Sequence, residues 1–309
     1  MLGRMLLTAS RSERLRDFVA TAPVTRPVVD RFVAGDDLPG ALAAVAGLVA
    51  DGLDATVDHL GEDTTDAAQA EANRDAYLAL LDALGPLGAG PRIEVSVKLS
   101  AFGQALGDGG HDLALANVRP VAEAAARIGS TVTLDMEDHT TVDSTLAVLD
   151  ELRTQYPGTG AVLQSYLFRT EADCRRLAAQ GSRVRLVKGA YREPASVAYQ
   201  DRREVDLAYV RCLKILMAGE GHPMVATHDP RLIAITQDLA RRHDRVPGSY
   251  EFQMLYGIRA DEQRRLVDAG ERVRVYVPFG TDWYGYFTRR LAERPANVAF
   301  FLRSFLPGH

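Results

Sequence analysis

Two adjacent arginines, Arg289 and Arg290, lie in the stretch Tyr286-Phe-Thr-Arg-Arg-Leu-Ala-Glu293, close behind Trp283 and Tyr284. Guanidiniums meet a carboxylate or phosphate as a rigid fork, through parallel charge-assisted hydrogen bonds. A pair of them on a short helix that also carries Tyr286 and Phe287 reads as a clamp for a small anion in an apolar pocket. The alternative is that one arginine faces solvent and the other pairs with Glu293, an arrangement that contributes little at a surface.

Other residues could work with the clamp. Lys98, in Val97-Lys-Leu-Ser100, is a cation in a β-branched run and must find an anion or stay near water. It either joins the arginines or forms a salt bridge to Asp135, and the two readings are compatible. Lysines at strand ends also serve as Schiff-base nucleophiles, so Lys98 and Lys188 keep aldolase chemistry open. Asp135, Glu137, Asp138 and His139 cluster as metal ligands would. Adjacent residues alternate faces in a strand, however, and the remaining histidines are scattered, so no metal is expected and Asp135 is read as orienting Lys98 or an arginine.

In the stretch 183–194, Arg185 lies in a strand and Lys188 at its end, followed by the small residues Gly189 and Ala190. Such residues let a flat ring approach the backbone, although Gly189 alone also reads as a turn glycine. His228 heads a helix, where Thr227 or Asp229 can cap and free N–H groups can receive a phosphate.

Short apolar or β-branched runs carry these groups, at 55–60, 93–99, 131–136, 161–166, 183–187, 224–227, 250–254 and 272–277. Helix-like segments follow at 65–84, 113–128, 142–153, 171–179, 197–217, 231–242, 261–269 and 283–293. Strand–helix alternation implies parallel strands, and eight of them close a (β/α)₈ barrel. The first run is the most ambiguous, and without it seven strands would point to an open doubly wound sheet. Lys98 and Ser100, Asp135, Gln164, Lys188, His228, Gln253 and Tyr276 fall at or near the carboxyl ends of successive runs, where barrel enzymes gather their catalytic groups. Residues 1–50 contain two helical patterns, including 42–50, and form an arm; residues 51–309 form the barrel.

Composition narrows the function. Hydrophobic content of 47% and charged content of 25% are those of an ordinary globular chain. With 36 basic against 41 acidic residues, a net charge of -5 and no purely basic run, nucleic-acid binding is not expected. Two widely spaced cysteines, Cys174 and Cys212, fit a reducing compartment, and the amino-terminal apolar stretch is too short and too charged for a secretory signal or a membrane span. The expected location is cytoplasmic, with attachment to a membrane surface left open.

Taken in order, Val97-Lys-Leu-Ser-Ala101, Leu134-Asp-Met-Glu-Asp138, Leu163-Gln-Ser-Tyr-Leu167, Arg185-Leu-Val-Lys-Gly-Ala-Tyr191, Ala226-Thr-His228, Phe252-Gln-Met-Leu-Tyr-Gly257, Arg274-Val-Tyr-Val-Pro-Phe-Gly280 and the arginine stretch make a specific series. Over residues 55–300 the chain resembles the proline dehydrogenase family, flavoenzymes that oxidise L-proline to Δ1-pyrroline-5-carboxylate. The resemblance implies a distorted (β/α)₈ barrel with FAD across its mouth and the eighth helix over the pocket. By motif position, Arg289, Arg290 and Lys98 would hold the proline carboxylate, and Asp135, Ala190, Tyr191, Leu255 and Tyr276 would shape the pocket. Gln164, Arg185, Val187, Lys188, Gly189, Thr227, His228 and Glu293 would contact the flavin. Departures from common family residues fall at Arg192, Asp229 and Arg294.

The resemblance also implies hydride transfer from proline C5 to flavin N5, electrons passed to a membrane quinone, and poor use of hydroxyproline because of Tyr276. The form expected is the monofunctional bacterial one, its product left to a separate pyrroline-5-carboxylate dehydrogenase. The rivals are a Schiff-base aldolase on the same barrel and a ligand-binding regulatory protein that kept the pocket without the chemistry.

Overall fold

A computed structural model describes residues 29–61 and 64–287. Helix α1 (Leu38–Ala50) starts earlier than the 42–50 pattern because Asp37 caps it, its carboxylate accepting from the Gly40 N–H at 3.0 Å with Pro39 in the first turn. Strands β1 (Asp54–His59), β2 (Ile93–Lys98), β3 (Thr131–Asp135) and β4 (Gly160–Gln164) alternate with α2 (Ala67–Leu84), α3 (Gly110–Arg127) and α4 (Val142–Arg153). Helices α5 (Thr170–Ala179), α6 (Arg202–Ala218), α7 (Pro230–Arg242) and α8 (Ala260–Asp268) separate β5 (Arg183–Val187), β6 (His222–Ala226), β7 (Glu251–Leu255) and β8 (Val273–Phe279).

The strands form a closed barrel in chain order. Closure depends on β1, which pairs in parallel with β8 from Asp54↔Arg274 to His59↔Phe279, and the open-sheet alternative falls with it. Helix α6 begins at Arg202 rather than at 197, because Asp201 accepts from the N–H groups of Arg203 (2.9 Å) and Glu204 (3.3 Å) while Ala198 bridges to Leu167. The connection from β5 to α6 is therefore a long loop, 188–201.

Side chains alternate across each strand. Val57, Val95, Val97, Leu134, Leu163, Leu186, Val225, Phe252, Val275 and Val277 belong to the main hydrophobic core shared with the helices. The other face fills the barrel, and branched apolar residues usually dominate there. Here it holds a buried ionic lattice. Glu94 accepts from Thr56 (2.6 Å), Arg185 (2.7 Å) and Arg183 (2.9 Å), and Glu251 accepts from Arg274 (2.8 Å) and Gln253 (2.7 Å).

Burial raises the Glu94 carboxyl, but Arg274, Arg183 and Arg185 outweigh it and bring the group from its ordinary 4.5 to about 2. Between those values the folded chain holds fewer protons than the unfolded one, so the stabilisation is complete above the unfolded value and fades as pH falls through the folded one. The shift corresponds to a stabilisation on the order of 3 kcal/mol. We expect the denaturation midpoint to drop steeply from pH 5 to pH 2, and Glu94→Gln to flatten that slope. An equal slope in the variant would contradict it.

Among the described residues, no helix is long and apolar enough to cross a membrane. Cys174 and Cys212 are buried free thiols on α5 and α6.

Candidate functional site

The strands' carboxyl ends gather charged and polar side chains around one buried guanidinium. Arg185, midway along β5, reaches across the barrel interior. Its Nε donates to Gln253 (2.6 Å), its Nη1 to Asp135 (2.7 Å) and Ser96 (2.9 Å), and its Nη2 to Glu94 (2.7 Å). The guanidinium carbon lies 5.3 Å from the centre of the Tyr276 ring. All three nitrogens are engaged by protein acceptors, and the flat guanidinium is a favourable partner for the aromatic ring beside it.

Asp135, at the end of β3, joins three strands. It accepts from Ser96 (2.7 Å) on β2, from Arg185 on β5 and from the Tyr276 hydroxyl (2.8 Å) on β8. Burial first, then the carboxylates of Asp135 and Asp58, hold the Tyr276 phenol well above its ordinary pKa, so it stays protonated as a donor. The expectation that Asp135 orients an arginine is met by Arg185.

Lys98 does not pair with Asp135, although the two are register partners across β2 and β3. Its ammonium turns to Asp58 on β1, 3.0 Å from Oδ2 and 3.2 Å from Oδ1. Asp58 also receives the Tyr77 hydroxyl at 3.3 Å. Burial raises the Asp58 pKa and the neighbouring Lys98 ammonium opposes it. Asp58, Glu94 and Ser96 were missed as site residues. Their signal was available as polar residues two apart within apolar strands, Thr56/Asp58 and Glu94/Ser96/Lys98, the spacing of one strand face.

The acidic cluster after β3 disperses. Glu137 accepts from Ser100 through its backbone N–H (3.0 Å) and hydroxyl (2.7 Å), Asp138 closes a turn on the Thr140 N–H (2.8 Å), and His139 meets Glu193. Among the described residues, no group of three or more His, Cys, Asp or Glu side chains could hold a metal.

From β4 to β7 the rim carries both donors and acceptors. Gln164 is buried, and its carboxamide donates to the Glu137 carbonyl at 2.6 Å. Lys188 lies 2.5 Å from Asp206 and 4.0 Å from Asp229. Thr227 Oγ1 accepts from the Asp229 N–H (3.1 Å) in the turn before α7, and Asp229 caps the helix by accepting from the Arg231 N–H (2.9 Å), so of the two candidates Asp229 is the cap. His228 Nε2 accepts from the Leu255 N–H at 3.0 Å, which requires the ring to be neutral there, with its proton on Nδ1. Val187, Gly189 and Leu255 are half-buried at the same rim, while Ala190 and Tyr191 are exposed. Tyr166 packs against Gly189: with φ at +119°, a Cβ there would lie 2.3 Å from the Tyr166 ring.

A second hydrophobic cluster roofs the mouth. Val29, Phe32, Val33, Leu60, Ile258, Trp283, Tyr284, Tyr286 and Phe287 pack together, with Leu255 and Tyr276 beneath. A helix starts at Tyr284, and Phe287 meets Phe32 (6.3 Å) and Trp283 (5.8 Å) ring to ring. The aromatic half of the expected clamp thus stands over the polar rim. Arg289, Arg290 and Glu293 lie outside the described residues. A separate recess lined by Gln237, Arg241, Arg245, Tyr250 and Glu271 opens at the strands' amino ends. There Gln237 and Tyr250 are bonded to Glu271.

A family model described as proline dehydrogenase matches residues 41–303. Over 306 residues the chain is 40% identical to Proline dehydrogenase 1 of Bacillus subtilis strain 168, covering 99% of both chains. It is 42% identical over 285 residues to Proline dehydrogenase of Deinococcus radiodurans, covering 91% of each. Among solved structures it resembles proline utilization A from Bdellovibrio bacteriovorus inactivated by N-propargylglycine, with a TM-score of 0.81 and 28% identity. That likeness covers 91% of this chain and 34% of the longer one.

Proposed function

Because the chain belongs to the proline dehydrogenase family, we propose that it oxidises L-proline to Δ1-pyrroline-5-carboxylate with FAD as cofactor. The reading extends to loss of a hydride from C5, a membrane quinone as final acceptor, a cytoplasmic site of action and a separate pyrroline-5-carboxylate dehydrogenase as consumer of the product. The observation that carries it is the interlocked rim of Asp58–Lys98, Asp135–Arg185 and Asp135–Tyr276 beneath an aromatic roof.

Donor chemistry supports a flavin at this rim. The carboxamide of Gln164, the Lys188 ammonium, Thr227 and His228 before the amino end of α7, and the flat face of Arg185 suit the polar ring edge and phosphates of FAD. Val187, Gly189 and Glu293 complete the proposed contacts. When bound, FAD supplies the two-electron acceptor for the departing hydride.

Proline's carboxylate needs a positive partner. Lys98 already faces Asp58, and Arg185 faces Asp135 and Glu94, so within the described rim each of these cations is matched by carboxylate. We therefore assign the balancing charge to Arg289 and Arg290, with Lys98 assisting. Asp135, Ala190, Tyr191, Leu255 and Tyr276 wall the ring. Hydride can leave only from the neutral amine, and a cationic clamp disfavours the ammonium, so activity should rise toward alkaline pH. A Schiff-base aldolase needs a lysine nitrogen aimed at a carbonyl carbon, whereas Lys188 is turned to Asp206 and Lys98 to Asp58.

The test is a visible spectrum of the purified protein before and after anaerobic addition of substrate. Flavin bands that bleach with proline and barely change with 4-hydroxyproline, whose added hydroxyl meets Tyr276, are the expected result. Colourless protein, or borohydride trapping of substrate on Lys98 or Lys188, would overturn the proposal.

A further inference from the structure

The geometry points to a clasp between Glu193 and His139 that positions the β5–α6 loop, and with it Ala190 and Tyr191, at the barrel mouth. The inference rests on the functional reading above for what the loop does, and on the following contacts for how it is held.

The loop rises from Lys188 and returns at Asp201, where α6 is capped. Both of its limbs are tied to the β4–α5 connection. The Tyr166 N–H donates to the Lys188 carbonyl (3.0 Å), the Tyr199 N–H to the Tyr166 carbonyl (2.9 Å), and the Phe168 N–H to the Val197 carbonyl (2.9 Å). Tyr166 also fills the space beside Gly189, so the first turn follows the one path open to a residue without a side chain.

Past that turn the tip stands out, with Tyr191 41% exposed. Two residues on, the chain dives inward, and Glu193 is only 7% exposed. Both of its carboxylate oxygens go to one residue of another loop: Oε1 accepts from the His139 backbone N–H (2.9 Å) and Oε2 from the His139 ring Nδ1. The receiving loop is itself fixed, since Asp138 holds the N–H of Thr140 through its side chain (2.8 Å) and that of Thr141 through its carbonyl (3.2 Å). Burial and the Glu193 charge both push the Tyr166 phenol up, in keeping with a carboxylate seated between the three loops. A buried carboxylate must be hydrogen-bonded to be tolerated, and here the bonds that satisfy it also fasten one mouth loop to the next.

Glu193 and His139 are positioning residues in this scheme, acting through Tyr191. Losing the ring bond removes roughly 0.5–1.5 kcal/mol, which corresponds to about a two- to twelvefold change in an equilibrium. We expect His139→Ala to raise KM for proline by that factor with kcat held within about twofold. His139→Asn, whose side-chain N–H can stand in for Nδ1–H, should restore the wild-type KM. Hydrogen–deuterium exchange of the peptide over 188–201 in the substrate-free holoenzyme should quicken severalfold in His139→Ala and Glu193→Ala, and not in His139→Asn. Unchanged exchange in both alanine variants, an equal fall in kcat and kcat/KM with KM unmoved, or failure of asparagine to rescue would each overturn the clasp. Should the wild-type protein leave proline untouched, the functional reading falls separately, and the exchange measurement still decides whether the loop is pinned.

Discussion

Asp135→Ala is expected to lower kcat/KM for proline by at least a hundredfold. The carboxylate is shared by Ser96, Arg185 and Tyr276, which come from three different strands. Without it, the Tyr276 hydroxyl loses its acceptor and Arg185 keeps Glu94 as its carboxylate partner. Breaking one member of a buried charge network costs roughly 3–5 kcal/mol, and each 1.36 kcal/mol felt in the transition state is tenfold in rate. Part of that loss will appear as stability, so about two powers of ten in kcat/KM is the conservative expectation. Asp135→Asn keeps one acceptor oxygen and the same volume, and should recover about tenfold of the loss. Steady-state kinetics beside thermal melts separate the two effects, and an alanine variant within fivefold of wild type would remove Asp135 from the site.

The fold was legible because strand and helix periods alternate cleanly, and even the ambiguous run at 55–60 proved to be the strand that closes the ring. The rim was legible in part. Asp135, Gln164, Lys188, His228 and Tyr276 could be placed at strand ends from sequence, since a strand end is a local property. What each would touch was not, because a barrel brings β2 as close to β1 as to β3. Lys98 chose Asp58 over Asp135 for that reason. Arg185 likewise needed partners on β2, β3 and β7, separated from it by 50 to 91 residues of chain. The start of α6 was misplaced because helix-forming residues at 197–201 are claimed by backbone bonds to the β4–α5 loop, a tertiary contact that local propensity does not register.

The barrel floor should show the largest loss of stability. Arg274 is fully buried and donates to Glu251 (2.8 Å), Asp54 (3.3 Å) and the carbonyls of Ala55 (3.0 Å), Arg92 (3.1 Å) and Pro91 (3.1 Å). Arg274→Ala strips all of these at once. Asp54 retains Arg92 and Arg272, whereas Glu251 keeps only the Gln253 carboxamide at 2.7 Å and more distant charges, His222 and Arg272, both at 3.4 Å. The expected cost is about 3–5 kcal/mol, a fall in Tm of roughly 10 °C for a chain of this size. Its pH dependence identifies the cause. Burial raises the Glu251 carboxyl, but Arg274 foremost among its neighbours holds it well below the usual carboxylate range, so in the wild type this stabilisation is complete above the unfolded value and lost as pH falls. In Arg274→Ala the carboxyl loses its foremost counter-charge, takes up a proton at higher pH and ceases to be a buried charge. The gap between variant and wild type, read from denaturant midpoints, should therefore narrow from pH 7 to pH 4, and pairing Arg274→Met with Glu251→Gln should recover much of it at pH 7. A gap that stays constant with pH and is not relieved by the double substitution would mean that Arg274 matters for the space it fills rather than for the charge it carries.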